Sequence, residues 1–225
     1  MREWKNKTDA MLATAHLPVI MFDEREPFPV EMVGYTVFRE SGKSPSSPRK
    51  IQLGENGREI CIEYAVYFDY DIQHLYDLEH VWVYLDKDET IVDCECSFHG
   101  MYFRAWNVSG NIINQNGQVC LYSQPGKHAM MPDPNLFHLF LEFQDSCKKT
   151  AGKDGILNPG FLKNYPSFSE ADSRKAEKYI KKKYSFDLSE KYHSVDLHEK
   201  LMSWTLVAEK IPERIEVELE KIRKA

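Results

Sequence analysis

From Ile60 to Asp69 the chain alternates strictly, with Ile60, Ile62, Tyr64, Val66 and Phe68 on one side and Cys61, Glu63, Ala65, Tyr67 and Asp69 on the other. A period of two is that of a strand half-buried on one face, so the centre of the molecule is committed to β-sheet. Further strands are predicted over His80 to Asp86, Thr90 to Trp106 and Gln118 to Ser123, separated by Asp86-Lys87-Asp88 and Asn114-Gln115-Asn116-Gly117. Asn116-Gly117 is a hairpin signal, because both residues tolerate the positive φ that such turns demand.

Ahead of this block, Met1 to Ala15 reads as a short helix and Leu17 to Phe22 as an entering strand. Pro27 and Pro29 break the chain before a second strand at Gly34 to Phe38. Ser41 to Pro48 has the composition of a loop and is expected to be mobile. Several antiparallel strands with polar turns at short intervals point to a β-sandwich.

After Pro132 the character changes. Asn135 to Cys147 reads as helical, Gly152 to Pro166 as a loop, and Ser169 to Lys183 as a charged helix opened by a Ser-x-x-Asp cap. Val195 to Lys224 reads as one or two amphipathic helices interrupted near Pro212. The expected fold is therefore mainly β with α: an antiparallel β-sandwich core over residues 1–134, and a helical extension over 135–225 packed on the same domain. Leu197, Leu201, Trp204, Val207 and Ala208 recur at helical spacing and are expected to cover one sheet; a homodimer face is the alternative.

A chain of 225 residues buries enough surface for a core without disulfides or metal staples. No apolar stretch approaches the roughly 18 residues a membrane span needs, so no integral membrane segment is expected. Lys5, Lys7, Asp9 and His16 interrupt the first 20 residues, which removes the apolar region of a secretory signal. Five cysteines without Cys-x-x-Cys spacing fit reduced thiols and a cytoplasmic location. Residues 1–167 carry 16 Lys and Arg against 23 Asp and Glu, and this acidic body without a basic stripe argues against nucleic acid as a partner.

The chemistry concentrates in nine positions that hold Asp71, His74, Asp77 and Glu79. On a strand, Asp77 and Glu79 project from one face, roughly 6.5–7 Å apart, and Val81, Val83 and Leu85 continue that face. Carboxylates in line with a core face need a cation, a proton or an arginine. A divalent metal held by Asp71, His74, Asp77 and Glu79 is the economical reading. Oxygen-rich ligation with one imidazole suits Mg, Mn or Ca, with Zn also possible. The plain alternative makes Asp71, His74 and Asp77 solvated turn residues and places Glu79 in a surface pair.

His99 and His128 stand beside or near Gly100 and Gly126 and are candidates for catalytic groups at the rim, against a plain role in packing or at the surface. His80 alternates to the face opposite Glu79, as a supporting or surface group, and Lys127 reads as an anion contact or a solvated loop lysine. Cys94 and Cys96 share a face with Val92 and Phe98 and read as core. Tyr70, Tyr76 and Tyr102 are candidates for a sugar or headgroup platform. No glycine-rich nucleotide loop or Gly-x-Ser-x-Gly elbow is present.

The run Tyr64-Ala65-Val66-Tyr67-Phe68-Asp69-Tyr70-Asp71, followed by His74-x-x-Asp77-x-Glu79, resembles the metal-binding core of the necrosis- and ethylene-inducing peptide-like proteins, secreted β-sandwich cytolysins. That family carries a tyrosine-rich strand ending in Asp and then Gly-His-Arg-His-Asp-Trp-Glu. The resemblance implies Asp71, His74, Asp77 and Glu79 as metal ligands. Asp77-Leu78-Glu79-His80-Val81 also resembles the Asp-Trp-Glu-His-Val of a vacuolar-sorting family. Leu17-Pro18, Glu26-Pro27-Phe28, Ser97-Phe98-His99-Gly100 and the segment from Tyr122 to Ala129 are similar to pieces of the same group, so the resemblance spans about residues 17–134. Leu75, Tyr76 and Leu78 stand where the family has Arg, His and Trp, and the loop after Asp71 is shorter, so cytolysis is not carried over.

The expected function is that of a divalent-metal-binding β-sandwich protein and candidate metal-dependent hydrolase. In it the metal polarises a phosphoryl or carbonyl oxygen and activates water, while His128 or His99 moves a proton. The alternative is a non-catalytic module for a small-molecule, carbohydrate or lipid-headgroup ligand, with the metal in a structural or recognition role.

Overall fold

The computed structural model describes residues 8–106, 113–114, 116–160, 162 and 164–225. The predicted first helix is present over Asp9–Ala15 (α1), capped by the Thr8 side chain; residues 1–7 of that expectation, and Gln115 of the predicted hairpin turn, lie outside the described residues.

The large sheet is built on the two longest strands, β5 (Ile60–Tyr70) and β6 (His74–Leu85). These pair antiparallel from Ile60↔Leu85 to Tyr70↔Leu75, joined by a turn at Asp71-Ile72-Gln73. Outside them lie β2 (Met32–Phe38) on one flank, and β7 (Ile91–Phe98) with β8 (Met101–Arg104) on the other. Short strands β3 (Gly42–Lys43) and β4 (Lys50–Ile51) form a separate hairpin. The small sheet holds β1 (Val19–Asp23), β9 (Cys120–Ser123) and β10 (Met130–Met131).

The C-terminal third interleaves with both sheets. Here β11 (Gly155–Ile156) pairs with β6, β12 (Tyr192–Ser194) joins β1, and β13 (Leu201–Ser203) joins β2. Helices α2 (Phe143–Ser146), α3 (Glu170–Tyr184) and α4 (Trp204–Lys224) complete the fold. The architecture is a β-sandwich-like pair of open sheets with a C-terminal helix packed on it, as expected. It is not antiparallel throughout, since β9 joins β1, β11 joins β6 and β13 joins β2 in parallel after long excursions of the chain.

The two faces of the large sheet have different covers. Tyr64, Val66, Phe68, Val81 and Val83 face the small sheet, where Phe22 meets Phe68 edge-on at 6.2 Å and the Tyr64 hydroxyl donates to the Ala13 carbonyl. The opposite face carries α4, whose first turn approaches so closely that a Cβ on Gly34 would stand 2.9 Å from the Trp204 ring. Val207, Ile211, Ile215, Leu219 and Ile222 line the buried side of that helix. Pro212 was expected to interrupt the helix and does not. It removes one backbone donor, but the apolar stripe continues on both sides of it into the core. With Leu197, Trp204 and Val207 buried inside the chain, the stripe covers the sheet and is not available as a dimer face.

Two other expectations change. Thr90 to Trp106 is not one strand but a hairpin, because His99 (φ 49°) and Gly100 (φ 78°) form a two-residue turn between the paired Phe98 and Met101. The Ser41 to Pro48 segment is not a free loop: Ser46 is buried and its hydroxyl donates to Glu63 over 2.6 Å, while Arg49 lies buried against Trp82. Asn135 to Cys147 is a 3-10 turn over Pro134–Leu139 followed by the single turn of α2, rather than one helix. Cys94 and Cys96 are fully buried core residues.

Candidate functional site

Strand β7 pairs with β6 only as far as Val81↔Cys96, so the beginning of β6 runs on past its neighbour. That edge is covered by β11 at His74 and Leu75 alone. The gap is a cavity of about 660 Å3, and Asp71, His74, Asp77 and Glu79 all line it. The strand alternation predicted for Asp77 and Glu79 holds, since both share the face of Val81, Val83 and Leu85.

Asp71 closes the turn between β5 and β6. Its Oδ1 accepts from the backbone N–H groups of Gln73 (2.6 Å) and His74 (2.7 Å), an arrangement that an aspartate makes with its own following residues. Its Oδ2 accepts from the Lys127 ammonium, which also donates to Gln73 Oε1 at 2.9 Å. Burial pushes the Asp71 carboxyl up, but the charges of His74 and Lys127 outweigh it and hold the group below the ordinary carboxylate value. His74 Nδ1 donates to the Tyr76 carbonyl (2.8 Å), and its Nε2 stands 3.4 Å from Asp71 Oδ2. Because a carbonyl only accepts, that bond fixes the proton on Nδ1 and aims Nε2 into the site.

Asp77 is held differently. Its Oδ2 accepts from His128 Nδ1 at 2.8 Å, and the far side of the same ring, Nε2, stands 3.5 Å from Glu26 Oε1. The imidazole is fully buried and stacked on Phe68 with centroids 3.7 Å apart. Burial works to lower its pKa, but the bond to Asp77 and the nearby Glu26 carboxylate prevail and raise it to about 10, so His128 is an imidazolium at neutral pH.

Glu79 accepts from the Ser97 hydroxyl, whose oxygen in turn accepts from the His80 N–H at 2.6 Å. Burial, reinforced by the charge of Asp77, raises Glu79 to about 8, so it carries a proton at neutral pH. His99, on the β7–β8 turn, donates from Nε2 to Gln124 Oε1 at 2.8 Å, and burial together with the Lys127 charge lowers its pKa.

One tight turn supplies both cations. In Gln124 to His128, the N–H groups of Lys127 and His128 both return to the Gln124 carbonyl, at 3.0 and 2.8 Å. Gly126 makes the turn possible: it has φ 69°, and a Cβ there would lie 2.9 Å from Ile72 Cβ. Three residues of the site, Tyr76, His99 and His128, hold left-handed backbone conformations that are costly outside glycine.

Beyond the carboxylates the cavity wall is aromatic. Arg49 lies between Trp82 (4.1 Å) and Tyr102 (3.9 Å), and His80 stacks on Trp82 at 5.4 Å. His80 is therefore buried and not a surface group; its Nε2 bonds Ser46 Oγ at 3.0 Å. Tyr102 is half exposed at the cavity and Tyr76 lines it from a buried position. Tyr70 faces elsewhere, with its hydroxyl on Glu218 at 2.8 Å.

The sequence thus brings its four metal-ligand candidates and His99 to one cavity, with His128 behind Asp77. Lys127 is neither a free anion contact nor a solvated loop lysine: it is largely buried on Asp71. Among the described residues, no three His, Cys, Asp or Glu side chains converge so as to hold an ion. Asp71 is met by the Lys127 ammonium, Asp77 by the His128 imidazolium, and Glu79 by the Ser97 hydroxyl, with burial raising its own pKa to about 8; a cation and a proton are two of the three means their placement required. Glu26, Ser97, Gln73, Gln124 and Arg49 were not anticipated as parts of this site, and only the Ser97-Phe98-His99-Gly100, Glu26-Pro27-Phe28 and Tyr122 to Ala129 segments hinted at three of them.

No family model matches the chain, and no curated protein matches it. Among solved structures, it is similar to Necrosis and Ethylene inducing Protein 2 from the causal agent of cocoa's Witches Broom disease, with 18% identity over 58% of this chain and 73% of that one, at a TM-score of 0.36. It is likewise similar to a mutant of NLPPya, with 17% identity over 68% of this chain and 86% of that one, at a TM-score of 0.37. A third structure, described as a toxin fold for microbial attack and plant defense, gives 20% identity over 55% and 68%, at 0.35. None of the three is described as a vacuolar-sorting protein. At such scores the function rests on the cavity's own residues.

Proposed function

We propose that the chain is a non-catalytic binding module whose cavity takes a polyhydroxylated ligand, a sugar or the sugar-like headgroup of a lipid. One observation carries this reading: a cavity of about 660 Å3 is lined together by Asp77, Glu79, His74, His99 and the half-exposed Tyr102. Hydroxyl groups are recognised by convergent polar side chains that both donate and accept, and a ring's C–H face packs on an aromatic plane. Glu79 with its proton donates, Asp77 accepts, and Tyr102 supplies the plane.

Metal-assisted hydrolysis is a second proposal, favoured by the proton that Glu79 holds near neutral pH in a cavity, a property of general acids. His128 fits a positioning role for Asp77 better than proton transfer, because it has no exposed surface; His99 is the histidine on the cavity wall. A divalent ion, whether Mg, Mn, Ca or Zn, has to take Asp71 from Lys127 before it can act. A reducing, cytoplasmic location suits the five free cysteines; no described helix is long and apolar enough to cross a membrane.

The test is calorimetric titration with a panel of mono- and disaccharides and short-chain glycolipids, with turnover followed in the same samples. Saturable binding without turnover, weakened about tenfold in Tyr102→Ala (roughly 1.4 kcal/mol), is the expected result. Absence of binding across the panel overturns the reading, and turnover abolished by Glu79→Gln replaces it with the hydrolytic one.

A further inference from the structure

We infer that Lys127 is a tethered cation that occupies the place of a divalent ion, so that this cavity is built to work without metal. The inference concerns the same cavity but does not rest on the ligand proposal, because its readouts are metal content and thermal stability.

The argument begins with the charge balance. Asp71 is fully buried as a carboxylate, accepting two backbone N–H groups on one oxygen and the ammonium on the other. The lysine side chain is only 12% exposed and is itself ringed by acceptors: Asp71, Gln73 Oε1, and the more distant charges of Asp77 and Asp154. An ammonium is a compact point charge, and taking it out of water is costly unless opposite charge and hydrogen bonds meet it. Here they do.

His74 adds a second, independent observation. Its Nδ1 is committed to the Tyr76 carbonyl, which is the support that orients a metal-binding imidazole, yet its Nε2 converges on the same Asp71 oxygen that Lys127 holds. Oxygens of Asp71 and Gln73 meet the ammonium, and the imidazole stands beside the shared Asp71 oxygen, so the positive charge at this point is carried by the chain. The turn that delivers it is specific: a Cβ on Gly126 would stand 2.9 Å from Ile72 Cβ and 3.0 Å from Cys147 Sγ, the next residue is Lys127, and the one after is His128 on Asp77. Asp77 is met by the His128 ring at 2.8 Å, and Glu79 by the Ser97 hydroxyl.

The experiment uses the full chain, with elemental analysis and thermal unfolding in chelator and in millimolar Mg, Mn, Ca or Zn. Wild type is expected to purify with no stoichiometric metal and to show the same Tm in chelator and in each ion. Lys127→Met keeps the length of the side chain and removes its charge; its metal-free Tm should fall by about 6 °C or more, and at least one divalent ion should restore most of the loss. Asp71→Asn combined with Lys127→Met leaves no uncompensated charge and should be more stable than Lys127→Met alone without responding to ions, which keeps the test open if the single variant does not fold. Stoichiometric metal in wild type, a wild-type Tm that chelator lowers, or a double variant that still responds to ions overturns the inference. So does a folded Lys127→Met that no ion stabilises.

Discussion

Two clusters of buried and partly buried acids among the described residues are neutralised by different chemistry. On the outer face of the large sheet, Asp93 and Glu95 of β7 are met by arginines. Arg58 Nε reaches Asp93 at 3.2 Å, Arg104 Nε reaches it at 2.7 Å, and Arg49 pairs with Glu95, where the Tyr84 hydroxyl also donates at 2.6 Å. In the cavity, Asp71, Asp77 and Glu79 are met by a lysine, a histidine and a proton. Guanidinium stays charged at every accessible pH and forks onto carboxylates in a fixed plane. Lysine, histidine and a protonated acid can each give up a proton. The outer cluster is therefore a fixture of the sheet, and the cavity cluster is one whose charge depends on what surrounds it.

The largest expected effect comes from removing the cation that serves two acids. His128→Ala leaves Asp77 and Glu26 facing each other without it and also removes a ring stacked on Phe68. Breaking a buried ion pair from one side costs about 3–5 kcal/mol. Equilibrium denaturation in urea should show a loss of that size with an unchanged slope. A loss below about 1 kcal/mol would mean that water reaches Asp77 and that the cavity cluster is as open as a surface pair.

The second effect separates the clusters by pH. Glu79 is raised from 4.5 to about 8, so the folded chain keeps a proton that the unfolded chain releases, and stability falls as pH rises through that window. His128 is raised from 6.5 to about 10; its contribution is whole below its unfolded value and is lost as pH climbs through 10. Asp93 runs the other way. Burial raises it, but the bonds from Arg104, Trp106 and Arg58 prevail and lower it, so its contribution is present at neutral pH and lost only in acid. Stability measured from pH 5 to 6.5, below the range in which His128 also contributes, should decline in wild type by up to about 1.4 kcal/mol per pH unit. Glu79→Gln, neutral throughout, should flatten that decline. An unchanged slope would show that Glu79 is ionised at neutral pH after all.

How much of this was legible follows the range of each interaction. The alternation from Ile60 to Phe68 and the i, i+2 spacing of Asp77 and Glu79 are local; β5 appears where it was predicted, and β6 begins at His74 rather than at the predicted His80, with both carboxylates on the core face. The need for compensation was equally legible, because two acids in line with Val81, Val83 and Leu85 cannot be left alone. Which compensation was used could not be read. Lys127 lies 56 residues from Asp71 and reaches it only through the turn at Gly126, and nothing local distinguishes it from a solvated lysine. His99 and Gly100 show the opposite failure. Their turn is local, yet the apolar residues on either side read as one long strand, and only the positive φ of both residues splits it. The Ser41 to Pro48 segment looked like free loop because its anchors, Glu63 and Glu95, are also distant in sequence.

The smallest expected effect lies in the outer cluster, and it tests whether arginine pairing there is as redundant as it looks. Arg104 has a side chain that is 58% exposed, stacks over Trp106 at 4.4 Å, and shares Asp93 with the Trp106 Nε1–H (2.7 Å) and with Arg58. Removing one of three side-chain partners from a carboxylate that also accepts from the Cys94 N–H leaves it bonded, and an exposed guanidinium is already screened by water and salt. Arg104→Ala should therefore cost less than about 1 kcal/mol in the same urea titration, and 0.5 M salt should shrink even that difference. A loss matching that of His128→Ala would erase the distinction between the clusters, because Asp93 would then depend on a single cation as Asp77 does.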